Sequence, residues 1–394
     1  MSCEWTWAVW IDERPSGGKM HAESQGTCRR PHIFTPFMPL FVHPRFRRLS
    51  HRTAPLWLAL LLLAGCDADR GDYGRFDTAP AGPEVRVTRS WTSILEASPL
   101  PDAETAPKAI GPLVSDILQL GPWPPQDPTQ LAQLDSAWSG FVDFEGTRVG
   151  VAGIDSILGR TGRLDAAEAQ LADAFGRWRV HFPQEPVPTV DLAYTGFNFS
   201  AYPTDDLLLI GCEFFLGADH PAVLGLTSTV YPRYMQQRMV PEHLVGDALR
   251  GWLLVHFQDG HYDPQGRLAE ELLYWGKVLY IARCLAPELS AHDLLDWTDA
   301  EWAWAEANER AIWSELRNEE TLYTRKRMDI QRWTSDAPFT KAGAIPQESP
   351  DRIGWYIGLR WVEDHMARNA DLDLQRLMAQ KDVLPFLQTY RPGS

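Results

Sequence analysis

Apolar residues recur at helical spacing over residues 241–257 and again over 267–283, and the turn 258–264 (Gln-Asp-Gly-His-Tyr-Asp-Pro) separates the two stretches. Val245, Ala248, Leu249 and Trp252 make one face of the first stretch, the i, i+3, i+4, i+7 pattern of an amphipathic helix. An apolar run at 206–211 precedes the pair and reads as a strand, as does the alternating stretch 189–194. Residues 195–203 between these strands carry Gly, Asn, Ser and Pro and read as a loop.

Upstream, 164–181 is rich in Ala, Glu and Gln, with Leu171, Phe175 and Trp178 at i, i+4, i+7, which predicts a helix with Asp165 as its N-cap. Prolines 183, 186 and 188 end it. Downstream, 299–322 predicts one long helix, with Thr298 and Glu301 placed for a capping box. A further helix is expected over 352–368, entered through Ser349-Pro350-Asp351, and shorter ones over 371–380 and 383–387. Residues 84–128 alternate short apolar runs with proline and read as irregular, with short helices near 110–120 and 128–138. The fold class that follows is mainly α with a small β-sheet, α+β, in one domain over 84–394.

The N-terminal part does not belong to this pattern. Arg45, Arg47, Arg48 and Arg52 precede ten apolar residues, 54–63, and then Leu63-Ala64-Gly65-Cys66. Ten apolar residues are too few to span a bilayer, so 38–65 reads as a signal peptide. The tetrapeptide resembles the bacterial lipobox, which implies lipidation at Cys66 and a new N-terminus there. Residues 1–37 fit no export signal and read as a gene-model extension. Residues 66–83, polar with Gly, Asp and Pro, read as a tether.

Charge narrows the partners. Residues 1–65 hold eight Lys or Arg and four Asp or Glu, so 29 basic and 48 acidic residues remain after them, a formal charge of −19. Such a surface excludes nucleic acid as the expected partner. The membrane would be reached through acyl chains on Cys66, since each buried CH₂ contributes ~0.8 kcal/mol. Beyond the leader and the Cys66 anchor only Cys212 and Cys284 remain; one disulfide between them is possible, but both sit among apolar neighbours and read as buried thiols rather than a disulfide scaffold.

Strand, helix, turn and second helix is the order in which a zinc peptidase sets out its site. The ligands of that site are missing: no His-Glu dipeptide occurs in the chain, so H-E-x-x-H is excluded. His243 and Asp247, at i, i+4 on one helix face, with Glu270 or Glu271 on the next helix, are the residues that remain for a metal. Leu244 stands where a peptidase needs its glutamate base, and a solvated ion-pair face with Arg250 accounts for His243 and Asp247 without metal. The turn residues His256, Asp259, His261 and Asp263 form a second group of four ligand types, although Asp-Gly and Asp-Pro are ordinary turn residues. Neither group leads to a cofactor, and zinc is not expected. Arg352 and Gly354, at the start of the helix 352–368, stand where a helix N-terminus favours an anion or a partner's carboxylate.

Several local patterns together resemble the gliding-motility-associated lipoprotein B family, GldB. They are Tyr194-Thr-Gly-Phe-Asn198, Phe215-Leu-Gly-Ala-Asp219, Pro241-Glu-His-Leu-Val245, Leu272-Leu-Tyr-Trp-Gly-Lys-Val-Leu-Tyr280 and Glu348-Ser-Pro-Asp-Arg-Ile-Gly354, in that order, ending at Tyr390-Arg-Pro392. The resemblance covers about 170–392. It implies a zincin-like helical scaffold, related to predicted zinc-dependent peptidases in which a Glu-Gly pair follows the H-E-x-x-H helix. Trp275-Gly276 stands at that second position here, a further departure from a working metal site. The family implies a membrane-anchored, periplasm-facing lipoprotein, a non-catalytic assembly or interaction component that meets other cell-envelope proteins, associated with gliding motility. Two other functions remain open: a divergent metal-dependent peptidase using His243, Asp247 and Glu270 or Glu271, and a module that binds a peptide or small ligand.

Overall fold

The computed structural model describes residues 70–82, 85–96 and 100–393. The expected extension, signal peptide and lipidated Cys66 lie outside the described residues, all of which fall within one unit, Ala68–Ser394. The expected class holds: helices surround a four-stranded sheet. Its strands are β1 (Val87–Arg89), β2 (Thr189–Ala193), β3 (Ala201–Pro203) and β4 (Leu207–Gly211), in the order β1-β2-β4-β3. β1, β2 and β4 run parallel, and β3 closes the sheet antiparallel to β4.

The sheet is covered on both faces. Val190, Leu192, Leu208 and Ile210 point into the main core, whereas Ala193, Leu207 and Leu209 join a second core built from Ile110, Leu113, Leu134 and Trp138. This explains why Leu207–Ile210 shows no polar alternation, since a strand buried on both sides has no solvent face to mark.

The longer helices are α1 (Ser90–Glu96), α2 (Pro128–Asp143), α3 (Glu145–Gly153), α4 (Arg163–His181), α5 (Leu244–His256), α6 (Leu268–Leu285), α7 (Asp299–Leu316), α8 (Arg327–Thr334), α9 (Ile353–Arg368), α10 (Leu374–Ala379) and α11 (Leu384–Thr389). α6 and α9 form the centre, and every residue of α9 from Ile353 to Met366 is buried. They cross where two glycines meet. A Cβ on Gly276 would stand 2.1 Å from the Gly358 carbonyl oxygen, and one on Gly358 would stand 2.0 Å from that of Leu272. α5 lies on β3 through a similar approach, with a Cβ on Gly251 only 2.8 Å from that of Ala201.

Several elements differ from the sequence reading. Gly162, in the left-handed region, starts α4, and the expected cap Asp165 instead pairs with Arg89 on β1. The helix expected over 299–322 stops at Leu316, because Asn318 caps a separate turn, Glu319–Leu322. Its start is as expected, with Thr298 and Glu301 forming both bonds of a capping box. The loop expected at 195–203 ends in β3. No side chain caps α9: Arg352 takes the N-cap position at φ 47°, and Asp351 turns its carboxylate elsewhere.

Within the stretch read as a tether, Tyr73–Phe76 forms a turn whose Tyr73 and Phe76 are buried. Tyr73 donates to Glu363 of α9 at 2.8 Å, and Arg70 pairs with Asp364 and Glu309. Cys212 and Cys284 are buried and not joined to each other, and burial pushes the Cys212 thiol well up.

Candidate functional site

The N-terminal end of α5 carries His243 and Asp247, as its sequence spacing requires, but their surroundings are ionic and closed. Arg250, one turn further, pairs with Asp247. The expected solvated face is therefore corrected: Arg250 is 1% exposed, and its guanidinium also reaches Asp296 at 2.9 Å and the Leu294 carbonyl at 2.6 Å. Apolar neighbours on either side leave a long cation nowhere to reach water, so it takes partners from the 293–296 turn.

Asp296 is held from a second side by Arg352, whose Nη1 lies 3.1 Å from it. Arg352 also donates to the Leu295 carbonyl and faces Asp351 and Asp336, each at 3.3 Å. Asp351 in turn accepts a forked pair from Arg238 at 2.7 and 2.8 Å, together with the Ala337 amide. His243 lies at the edge, its Nδ1 2.8 Å from the Arg238 carbonyl and 3.9 Å from Asp296. The result ties the start of α5, the 293–296 turn and the entry to α9 into one buried network.

Its protons are unevenly held. Burial alone would raise the Asp296 and Asp351 carboxyls, but the adjacent guanidiniums outweigh it and hold both below the usual range. Asp247 is pushed up by burial and by the charge on Asp296, and Asp336 by burial and Asp351. Two firmly ionised carboxylates therefore sit among three arginines, and two further carboxyls share what attraction is left.

The other residues singled out in the sequence have separate partners. Glu270 accepts from the Arg267 amide and caps its own helix, while Glu271 pairs with Arg327 and accepts from Tyr262. His256 meets Glu185, His261 meets the Met378 carbonyl, and Asp263 accepts from the Gln265 amide. Among the described residues, no three His, Cys, Asp or Glu side chains are placed together to hold a metal ion. Arg352 is committed to Asp296, Asp336 and Asp351, and Gly354 packs against α6 and α8: a Cβ there would meet Leu272 at 2.6 Å and the Trp333 carbonyl at 2.8 Å. Trp275, at the position of the absent Glu, stacks on Trp355 with ring centroids 3.4 Å apart, and Arg352 lies over the latter ring.

Sequence reading missed two buried groups. Lys277 of α6 is almost wholly enclosed, and its ammonium donates to the carbonyls of Met378 and Gln380. Burial, assisted by Lys381, lowers its pKa to about 7. Between that value and the ~10.4 of a free lysine, the unfolded chain holds a proton that the folded chain lacks, so this group makes stability rise with pH. Urea midpoints at pH 7 and 9 should therefore rise more for the wild type than for Lys277→Met, which lacks the titration. The second group is Asp191, in the middle of β2 and 4% exposed. A carboxylate between Val190 and Leu192 in a short strand was the available signal.

The class these observations define is an α+β domain whose two central helices meet glycine to glycine and whose helix entries are locked by buried arginine–aspartate pairs. A family model described as "Gliding motility protein GldB" matches residues 153–392, and the chain belongs to that family. No curated protein and no solved structure matches it. Among the described residues, no helix is long and apolar enough to cross a membrane.

Proposed function

We propose that the protein is a periplasm-facing lipoprotein, anchored by acyl chains on Cys66, that serves as a non-catalytic assembly component of a cell-envelope machinery of the gliding-motility type. It works on this reading by holding other envelope proteins, on a scaffold related to zinc peptidases.

The observation that carries the non-catalytic part is the pairing of Asp247 and Asp296 with Arg250 and Arg352. A divalent cation entering there would have to displace buried guanidiniums from their carboxylates, at the cost of leaving those cations unpaired. The helix also offers Leu244 where hydrolysis needs a base to activate water. The anchoring part rests on the lipobox-like Leu63-Ala64-Gly65-Cys66 and on membership of the family.

Two measurements test it. Protein purified without chelator should contain far less than one zinc per chain; stoichiometric zinc that disappears in His243→Ala would establish the divergent metallopeptidase instead. In cells, Cys66→Ser should abolish incorporation of labelled palmitate and move the protein from the membrane to the soluble fraction. Unchanged membrane association in that variant would remove the anchor from the proposal.

A further inference from the structure

We propose that a cavity beside β1 and β2 is a binding site for a small primary amine, whose ammonium group pairs with the Asp191 carboxylate. The cavity is partly open to solvent, has a volume of about 300 Å³, and has Thr88, Ser90, Thr189 and Asp191 among its lining residues. That is the lower end of the ~300–1,000 Å³ range of small-molecule sites, so the ligand is a small molecule.

Asp191 is unusual among the buried acids of the described residues. Asp296, Asp351, Glu271, Glu309, Glu363 and Asp364 each have an arginine within ion-pair distance. Asp191 and Glu213 are buried and have none of these pairings. Glu213 has no exposed surface at all, whereas Asp191 faces the cavity. Burying an ionised carboxylate is costly unless an opposite charge accompanies it. The cavity is where such a charge can come from.

The hydrogen bonding leaves room for it. The Asp191 oxygens accept from the Ser90 hydroxyl and amide and, at 2.5 Å, from the Thr88 hydroxyl. A carboxylate has about four acceptor positions, so one is left for a ligand donor. The two cations at the rim are engaged: Arg89 pairs with Asp165 and Glu168, and Lys108 with Asp206 at 2.8 Å. The Thr189 and Thr88 side chains supply further polar contacts, and Pro107 gives an apolar wall.

A pH dependence follows. Burial raises the Asp191 pKa to about 6, against the hydrogen bonds from Ser90 and Thr88. The charged groups around it are Arg89 on β1 with its α4 partners Asp165 and Glu168, and Lys108 with Asp206 at the rim, while the Cys212 thiol after β4 is titratable but held neutral by burial. An alkylamine stays charged throughout this range, so its affinity should fall towards ~tenfold per pH unit below that value as Asp191 takes up a proton.

The test is titration of the purified protein with ethylamine and ethanolamine, followed by NMR or calorimetry, with ethylene glycol as the neutral control. Saturable binding of the amines, at least tenfold weaker for the diol, lost in Asp191→Asn and weakening below pH 6, supports the site. Vesicles of phosphatidylethanolamine separate two sources of the same group: competition by them places the ammonium on a lipid headgroup, and its absence leaves a free amine. Failure of the wild type to bind either amine, or equal binding by Asp191→Asn, overturns the proposal. If Asp191→Asn does not fold, the wild-type pH series decides alone, and an affinity that is flat between pH 5 and 8 overturns it.

Discussion

Adding one methyl group at Gly358 is expected to lower the melting temperature of the protein by ~10 °C or more. Gly→Ala inside a helix normally stabilises by ~1 kcal/mol, through propensity and the stiffer unfolded chain. Here the new Cβ would lie 2.0 Å from the Leu272 carbonyl oxygen and close to the Gly276 amide, both backbone atoms of α6. A side chain could rotate away, but a helix backbone cannot, so α6 and α9 must separate along their crossing. Overpacking of a core costs ~1–3 kcal/mol and sometimes more, and an obstacle made of backbone puts Gly358→Ala at or beyond the upper end. Thermal melting should show a fall of ~10 °C or no cooperative transition, at ~2–4 °C per kcal/mol for a large domain.

Gly140, exposed inside α2 with nothing within 4 Å of its added Cβ, is the control. Gly140→Ala should melt slightly higher than the wild type. If Gly358→Ala melts with it, the helices are not locked by their glycines.

The crossing shows where sequence stops being informative. The periodicity of 241–257 and 267–283 sufficed for α5 and α6, since each helix writes its own buried face into spacing. Gly276 stood out only as the place of an absent ligand; its real partner, Gly358, is set by tertiary packing that no local pattern records. Likewise the Asp247–Arg250 pair was readable at i, i+3, but its enclosure by Asp296 and Arg352 was not. α3 and the turn after it escaped notice because Gly146, Gly150, Gly153 and Gly159 argue against a helix. Gly150 and Gly153 are there because Tyr194, Leu216 and His220 press on them. β1 and β3, three residues each, are too short to show alternation. The alternation of 189–194 accounts for Asp191 as an ordinary polar position, and the cavity it faces is made by what the chain brings over it.

Arg352→Ala is the substitution from which the largest electrostatic loss is expected. The arginine is 1% exposed and serves Asp296, Asp336, Asp351 and the Leu295 carbonyl together. Its removal leaves two carboxylates that are ionised at neutral pH short of a counter-charge in a buried site. Breaking a buried pair from one side costs ~3–5 kcal/mol. Arg352→Lys should recover little of this, since a single ammonium cannot meet carboxylates and a carbonyl on several sides as a planar guanidinium does.

The acid limb provides the sign. Asp296 and Asp351 have folded pKa values below those of the unfolded chain, so these two carboxylates contribute fully above ~pH 4. Their contribution shrinks as pH falls from there through their folded values, whereas Asp247 and Asp336 are shifted upward and do not share this limb. Urea denaturation at pH 7 should therefore show a large difference between wild type and Arg352→Ala that narrows towards pH 3. A difference independent of pH would mean that Arg352 acts through the packing of its stem and its contact with Trp355, and not through charge.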